Sequence, residues 1–330
     1  MLFIISNKQN INFHKVIAFP LKFANFAPQI YKQMIVREIP IKLFTDLTGY
    51  SFISSLYHSV SGQEDKELIV DFSSCQKIDG NLAAALGAVL DKLLHEGYSI
   101  RLSTPIKKRV RQAFSRNHFF RAWEVKTNTE DRENYIDYKK FKSNDSESFK
   151  RYVDEGLIHK QKFPKHSQLA ADKIIESIYE IYANATMHGR TEYVYSCGEY
   201  KEETHILEMT IVDCGVTIPM NVNNFLALHS QPPLSDCDTI KWAFVEGHTT
   251  KNIPGGLGLA ILKDFIQLNN GAIQVISGRG MIEIRGPKVE QFLIDIGFPG
   301  TIVNMRFNFD DEKKYIMANE SHEYNINDLL

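Results

Sequence analysis

One helix constrains this chain more than any other stretch. Between residues 169 and 188, Ile174, Ile178, Ile181 and Ala185 recur at helical spacing and make a single apolar stripe. Along its edge Glu180, Asn184 and His188 follow one another at i, i+4, so the three polar groups lie in one row. Such a helix is expected to seat its stripe on a sheet and to hold the polar row either at a solvated edge or along the wall of a cavity. A carboxylate beside an amide oxygen suits a hard cation such as Mg2+, with phosphate oxygens and water completing the shell.

Period-two alternation over residues 205–213 puts Asp213 on the same side as Leu207, Met209 and Ile211. That side is expected to be buried, and a carboxylate turned into an apolar layer needs hydrogen-bond donors. The exocyclic amino group of adenine would serve, and Gly215 lets a flat ring approach the backbone. A strand-end aspartate that caps a turn is the ordinary alternative. Further along, Ile253-Pro254-Gly255-Gly256-Leu257-Gly258-Leu259 leads glycines straight into an expected helix N-terminus, where free N–H groups and the positive dipole end receive phosphate oxygens. Thr249-Thr250-Lys251, just upstream, offers hydroxyls and an ammonium to the same phosphates. The run is not a P-loop, because no Gly-x-x-x-x-Gly-Lys-[Ser/Thr] occurs, and no Rossmann-type unit precedes it.

Taken in order, Glu180-Ile181-Tyr182-Ala183-Asn184-Ala185 with His188-Gly189, then Asp213-Cys214-Gly215, Thr249-Thr250-Lys251, Gly255-Gly256-Leu257-Gly258-Leu259 and Gly300-Thr301 make a recognisable set. Residues of about 165–310 thereby resemble GHKL-type ATPases, with their N, G1 and G2 boxes and last-strand Gly-Thr. That superfamily holds histidine kinases, anti-sigma-factor serine kinases, gyrase-type ATPases and heat-shock chaperones. The resemblance implies ATP and Mg2+ as cofactors: Asn184 as the metal ligand, Asp213 on the adenine amino group with Thr301 supporting it, and Gly215 shaping the base pocket. His188 and Thr249 to Lys251 would belong to the binding site, with Gly255, Gly256, Leu257 and Gly258 around the phosphates. Glu180 would be the general base that activates water or a protein hydroxyl. Residues 216–253 correspond to the ATP lid and are expected to be a long, irregular, polar loop.

The first block reads as strand (68–72), helix (80–96, ended by Gly97), strand (98–102) and helix (106–117), a small α/β layer domain. Through Leu68-Ile69-Val70-Asp71-Phe72 and Lys77-Ile78-Asp79-Gly80-Asn81-Leu82 it resembles a STAS-type domain, the fold of anti-sigma-factor antagonists, over about residues 40–120. The family's phosphorylated serine would fall near Gly80 or Asn81, and neither carries a hydroxyl. The expected organisation is thus an N-terminal arm (1–33, or sequence upstream of a start at Met34), a STAS-like domain (34–125) and a polar linker (126–164) with one helical stretch near 149–157. A GHKL-type α/β sandwich (165–310), built as a mixed sheet with helices on one face, and a C-terminal tail (311–330) follow.

Composition narrows the setting. With 38 Lys and Arg against 40 Asp and Glu the net charge is −2, so no overall basic field invites nucleic acid or acidic lipid. Residues 101–121 hold seven basic residues and no acidic one, but without aromatic interleaving they read first as a solvated helix face. Cys75, Cys197, Cys214 and Cys237 form no Cys-x-x-Cys pair, which fits a reducing cytoplasm, and Lys22 interrupts the longest apolar N-terminal run. With the two resemblances, this implies a cytoplasmic ATP- and Mg2+-binding regulatory protein, similar to an anti-sigma-factor antagonist and an anti-sigma serine kinase or ATPase joined as a switch in one chain, with a regulatory protein partner, a homodimer compatible and no membrane contact. A non-catalytic nucleotide-sensing module is the alternative. A histidine-kinase fragment is disfavoured because no long two-helix dimerisation hairpin is visible.

Overall fold

The computed structural model describes residues 34–103, 105–123, 125, 135–245, 248 and 257–320, with the side chains of 257–260 left aside. The described residues open with β1 (Ile35–Glu38), β2 (Lys42–Leu43), α1 (Leu47–Val60), β3 (Glu67–Asp71) and β4 (Lys77–Ile78). They continue with α2 (Ala83–His95), β5 (Ser99–Leu102), α3 (Lys108–Arg116) and α4 (Phe119–Ala122). Strands β1, β3 and β5 pair in parallel in that order, and β2 pairs with β4. The Asp46 side chain caps α1 by accepting the Gly49 N–H at 2.9 Å. Gly97 follows α2 in the left-handed region, φ +89°, as the sequence leads one to expect.

The second half contributes β6 (Tyr135–Lys142), α5 (Ser146–Val153), β7 (Lys165–His166), α6 (Gln168–Met187), β8 (Tyr193–Lys201), β9 (Ile206–Asp213), α7 (Ile218–Leu228), α8 (Asp236–Ala243), α9 (Leu257–Leu268), β10 (Ala272–Arg285), β11 (Lys288–Asn308) and β12 (Lys314–Tyr315). Five strands form one sheet in the order β10-β11-β9-β8-β6. Side chains of α5, α6, α8 and α9 bury one face of it, around Phe149, Ile178, Ile240 and Phe265. The opposite face meets α1 and α2, so one apolar core runs from the three-stranded sheet through these helices to Val212, Ile276 and Ile302 of the larger sheet. This explains why every residue from Ala83 to Leu90 is buried: a helix between two sheets has no solvent side. At Gly87 an added Cβ would stand 2.3 Å from the Tyr138 hydroxyl, so only glycine lets α2 lie this close to β6.

The structure corrects four sequence expectations. The large sheet is antiparallel at every pairing, not mixed, and helices cover both of its faces. The described part of the expected linker, residues 135–164, is not a linker: β6 forms the sheet's edge, and Phe141, Phe149 and Tyr152 enter its core, apolar anchors within a polar composition. Residues 216–245 are not an irregular lid but carry α7 and α8, started by the Thr217 and Ser235 side-chain caps. The expected C-terminal tail, 311–330, contributes to the fold over its described part, where β12 pairs in parallel with β7. The proposed arm, residues 1–33, lies outside the described residues. Among the described residues no helix is long and apolar enough to cross a membrane.

Candidate functional site

On the α6 side of the sheet a hollow of about 1160 Å3, its open mouth included, lies between α6, the strand ends and the α7–α8 segment. Three sets of residues meet in it. Glu180, Asn184 and His188 line it as the single row their spacing demands, each half-buried. Asp213, at the end of β9, and Thr301, its register partner on β11, contribute from the sheet. The remaining wall is largely apolar, with Ile211, Ile273, Val275 and Val303 as floor and Leu262 from α9.

Alternation along the strands explains which side chains arrive here. Ile211 and Asp213, Ile273 and Val275, Thr301 and Val303 face the hollow. Val212 and Ile302, which lie between them, and Ile276, the residue after Val275, face the first domain. The burial expected for Asp213 is found: it is 4% exposed. Among the described residues its carboxylate has one hydrogen bond, accepted from the Gly215 N–H at 2.8 Å, and no cation beside it. Burial therefore pushes its pKa up to about 7, against the opposing pull of that N–H.

The turn below Asp213 is tightly locked. Val216 N–H donates to the Gly189 carbonyl at 2.6 Å, joining the end of α6 to the end of β9. A Cβ at Gly215 would lie 1.9 Å from that same carbonyl oxygen, and one at Gly189 would lie 3.0 Å from the Asp213 Oδ1. Gly215 thus serves the site from beneath, holding the carboxylate rather than lining the hollow. On the other flank the Ser277 hydroxyl accepts the Ile218 N–H at 2.9 Å, donates to the Gly300 carbonyl at 3.0 Å, and lies 3.0 Å from the Thr301 hydroxyl.

Glu180, Asn184, His188, Asp213 and Thr301, expected from sequence, share one hollow. Leu257 and Gly258 open α9, so the helix starts where the glycine run places it. Thr249, Thr250, Lys251, Gly255 and Gly256 lie outside the described residues. Sequence reasoning missed Asn221, Trp242, Phe244 and His248, all of which line the hollow. Asn221 donates from Nδ2 to the His188 carbonyl at 2.9 Å, and the Trp242 and His248 rings lie 4.7 Å apart. The available signal was the pair of helix starts, Thr217-Ile218-Pro219 and Ser235-Asp236-Cys237-Asp238, with a capping hydroxyl in each and a proline or acidic first turn.

Compared with models of known protein families the chain matches none, and comparison with curated proteins likewise finds no match.

Proposed function

We propose that the hollow binds a nucleoside triphosphate, with the adenine amino group on Asp213 and the phosphates toward the start of α9, in the manner of the GHKL-type ATPases that residues 165–310 resemble. The observation that carries this reading is the Asp213 carboxylate, buried with a single donor among the described residues, in the hollow that also holds Glu180 and Asn184. A buried carboxylate with so little compensation is incomplete on its own. An N–H donor from a flat base completes it and favours its ionised form. The apolar floor suits the ring, and the half-buried row on α6 suits the polar remainder of such a ligand.

In this reading Asp213 and Thr301 orient the base, and the Gly215 N–H keeps the carboxylate aimed. Asn184 offers a hard oxygen donor of the kind Mg2+ takes, and the ion when bound would neutralise phosphate charge. Glu180 accepts the proton of the attacking hydroxyl or water, which makes it the catalytic residue and the rest binding residues. The first domain, which resembles a STAS module, is then a fixed partner of the sheet, and the acceptor of any transferred phosphate is a separate regulatory protein.

Calorimetry of the full chain with ATP and Mg2+ tests the binding step, and its failure would end this reading. Labelled ATP then separates the chemistries: label on a partner protein means a Ser/Thr kinase, and free phosphate alone means an ATPase. Thermal stabilisation by ATP without turnover would mean a nucleotide-sensing module. Glu180→Ala is expected to lower turnover by about 10²–10⁴-fold, the usual worth of a general base, with ATP affinity nearly unchanged.

A further inference from the structure

We infer that Asn81, on the first domain, is a positioning residue for the nucleotide hollow: from the far side of the sheet it fixes how β9 and β11 present Asp213 and Thr301. The inference rests on the nucleotide-binding reading above.

Asn81 is fully buried between the two domains, 0% exposed. Its Nδ2 donates to Thr210 Oγ1 at 3.0 Å and to Asn304 Oδ1 at 3.2 Å, and its Oδ1 accepts the Thr45 hydroxyl at 2.9 Å. Thr210 and Asn304 are register partners on β9 and β11, and the Thr210 hydroxyl also donates to Asn304 Oδ1 at 2.8 Å. The three side chains close a triangle across two strands. Asn304 Nδ2 extends it to Gln274 on β10, at 3.1 Å. Both amide hydrogens and the carbonyl of Asn81 are engaged, so neither serine nor aspartate supplies the same set.

Three residues along β9 from Thr210 stands Asp213, and three residues back along β11 from Asn304 stands Thr301, again as register partners. An odd step reverses the face, so the Asn81 triangle and the Asp213–Thr301 pair lie on opposite sides of the sheet, about 10 Å apart along the strands. Backbone pairing alone leaves the twist between neighbouring strands free over roughly 10–35°. A side-chain clamp on both strands selects one value. The twist at 210/304 then sets the angle at which 213 and 301 meet the base.

A purely structural role for Asn81 makes a different prediction, and nucleotide selectivity separates the two. Inosine triphosphate differs from ATP at the group facing Asp213, with a carbonyl oxygen in place of the amino group. In the full chain with Mg2+, wild type is expected to prefer ATP over inosine triphosphate by about 100-fold, the worth of a hydrogen bond to a buried charge. Asn81→Ala, and the near-isosteric Thr210→Val, are expected to lower ATP affinity about tenfold while inosine triphosphate affinity stays within twofold of wild type. Equal losses for both nucleotides, or wild-type affinity for both in the two variants, would overturn the inference. If Asn81→Ala does not fold, Thr210→Val decides alone. A wild type that binds neither nucleotide is the separate failure of the nucleotide reading, and the inference falls with it.

Discussion

Asp79 and Glu208, on the docked face of the five-stranded sheet, are surrounded differently from Asp213 on the hollow face. On the docked face Asp79 takes the Thr45 N–H and the Lys201 ammonium, each at 2.9 Å, and Glu208 has Lys201 at 3.3 Å and Arg306 at 3.0 Å. On the hollow face Asp213, equally buried, has one backbone N–H and no cation among the described residues. A buried charge paired with hydrogen-bonded cations is costly to leave unpaired, so removing one partner is strongly destabilising. One left with a single donor leaves capacity for a ligand. The same strands thus carry a packed face on one side and, in the proposed reading, a ligand site on the other, and strand alternation keeps the two apart.

One substitution made on each face gives the sharpest way to break this contrast. Asp213→Asn is expected to abolish ATP binding yet stabilise the free protein at pH 8. The folded-state pKa is raised from 3.8 to about 7, so the favourable contribution of Asp213 is complete below 3.8 and lost as pH rises through 7. Above that pH the ionised, buried wild-type side chain costs on the order of 4 kcal/mol, which the amide avoids. Urea unfolding at pH 8 and at pH 4 is expected to show a large advantage for the variant at pH 8 and almost none at pH 4. Asp79→Asn is expected to act with the opposite sign, destabilising by about 2–4 kcal/mol at pH 8, because Lys201 loses a buried partner. Equal signs on both faces would refute the distinction.

Gly215→Ala probes the turn without touching charge. Its Cβ would meet a backbone oxygen, Gly189 O at 1.9 Å, which has no flexible side chain to yield. A loss of about 2–3 kcal/mol is expected in urea unfolding, with ATP affinity falling as the Gly215 N–H leaves Asp213. In wild type, ATP affinity is expected to fall by up to about tenfold per unit as pH drops below 7, because protonated Asp213 loses the charge-assisted bond to the base's N–H and accepts it more weakly. A flat profile from pH 8 to 5.5 would remove Asp213 from the base.

Much of the hollow was legible from residue types at fixed spacing. The row Glu180, Asn184, His188 needs only 100° per residue, and the burial of Asp213 needs only period two, so both survive any detail of packing. The turn of Gly97 was legible for the same local reason. What escaped depends on contacts distant in sequence. Strand β6 lies between the polar runs 128–134 and 143–148, whose composition suggested a linker, but Lys140 reaches Asp91 of α2 at 2.7 Å and Tyr138 packs against that helix. The all-round apolar character of 83–90 was a sign that α2 lies between two layers, yet nothing local says that the second layer is the sheet of the other domain. Helices α7 and α8 were hidden by polar composition, although their capping hydroxyls marked both starts.

The smallest effect expected comes from Ser277, whose hydroxyl ties the start of α7 to Gly300 and Thr301 beside the hollow. Ser277→Ala removes an acceptor for the Ile218 N–H and a donor to Gly300 O but creates no clash, so about 1 kcal/mol is expected in unfolding. If the hollow face is an unfinished site, its flank tolerates this loss of order better without ligand than with it. ATP is then expected to stabilise the variant a few tenths of a kcal/mol less than wild type in thermal melts at matched saturation. The equivalent cut on the docked face, Thr45→Val at the Asn81 triangle, is expected to cost similar stability and to leave no groups waiting for a ligand on that side. A larger nucleotide effect from Ser277→Ala than from Asp213→Asn would mean that the base sits against β10, not at the end of β9.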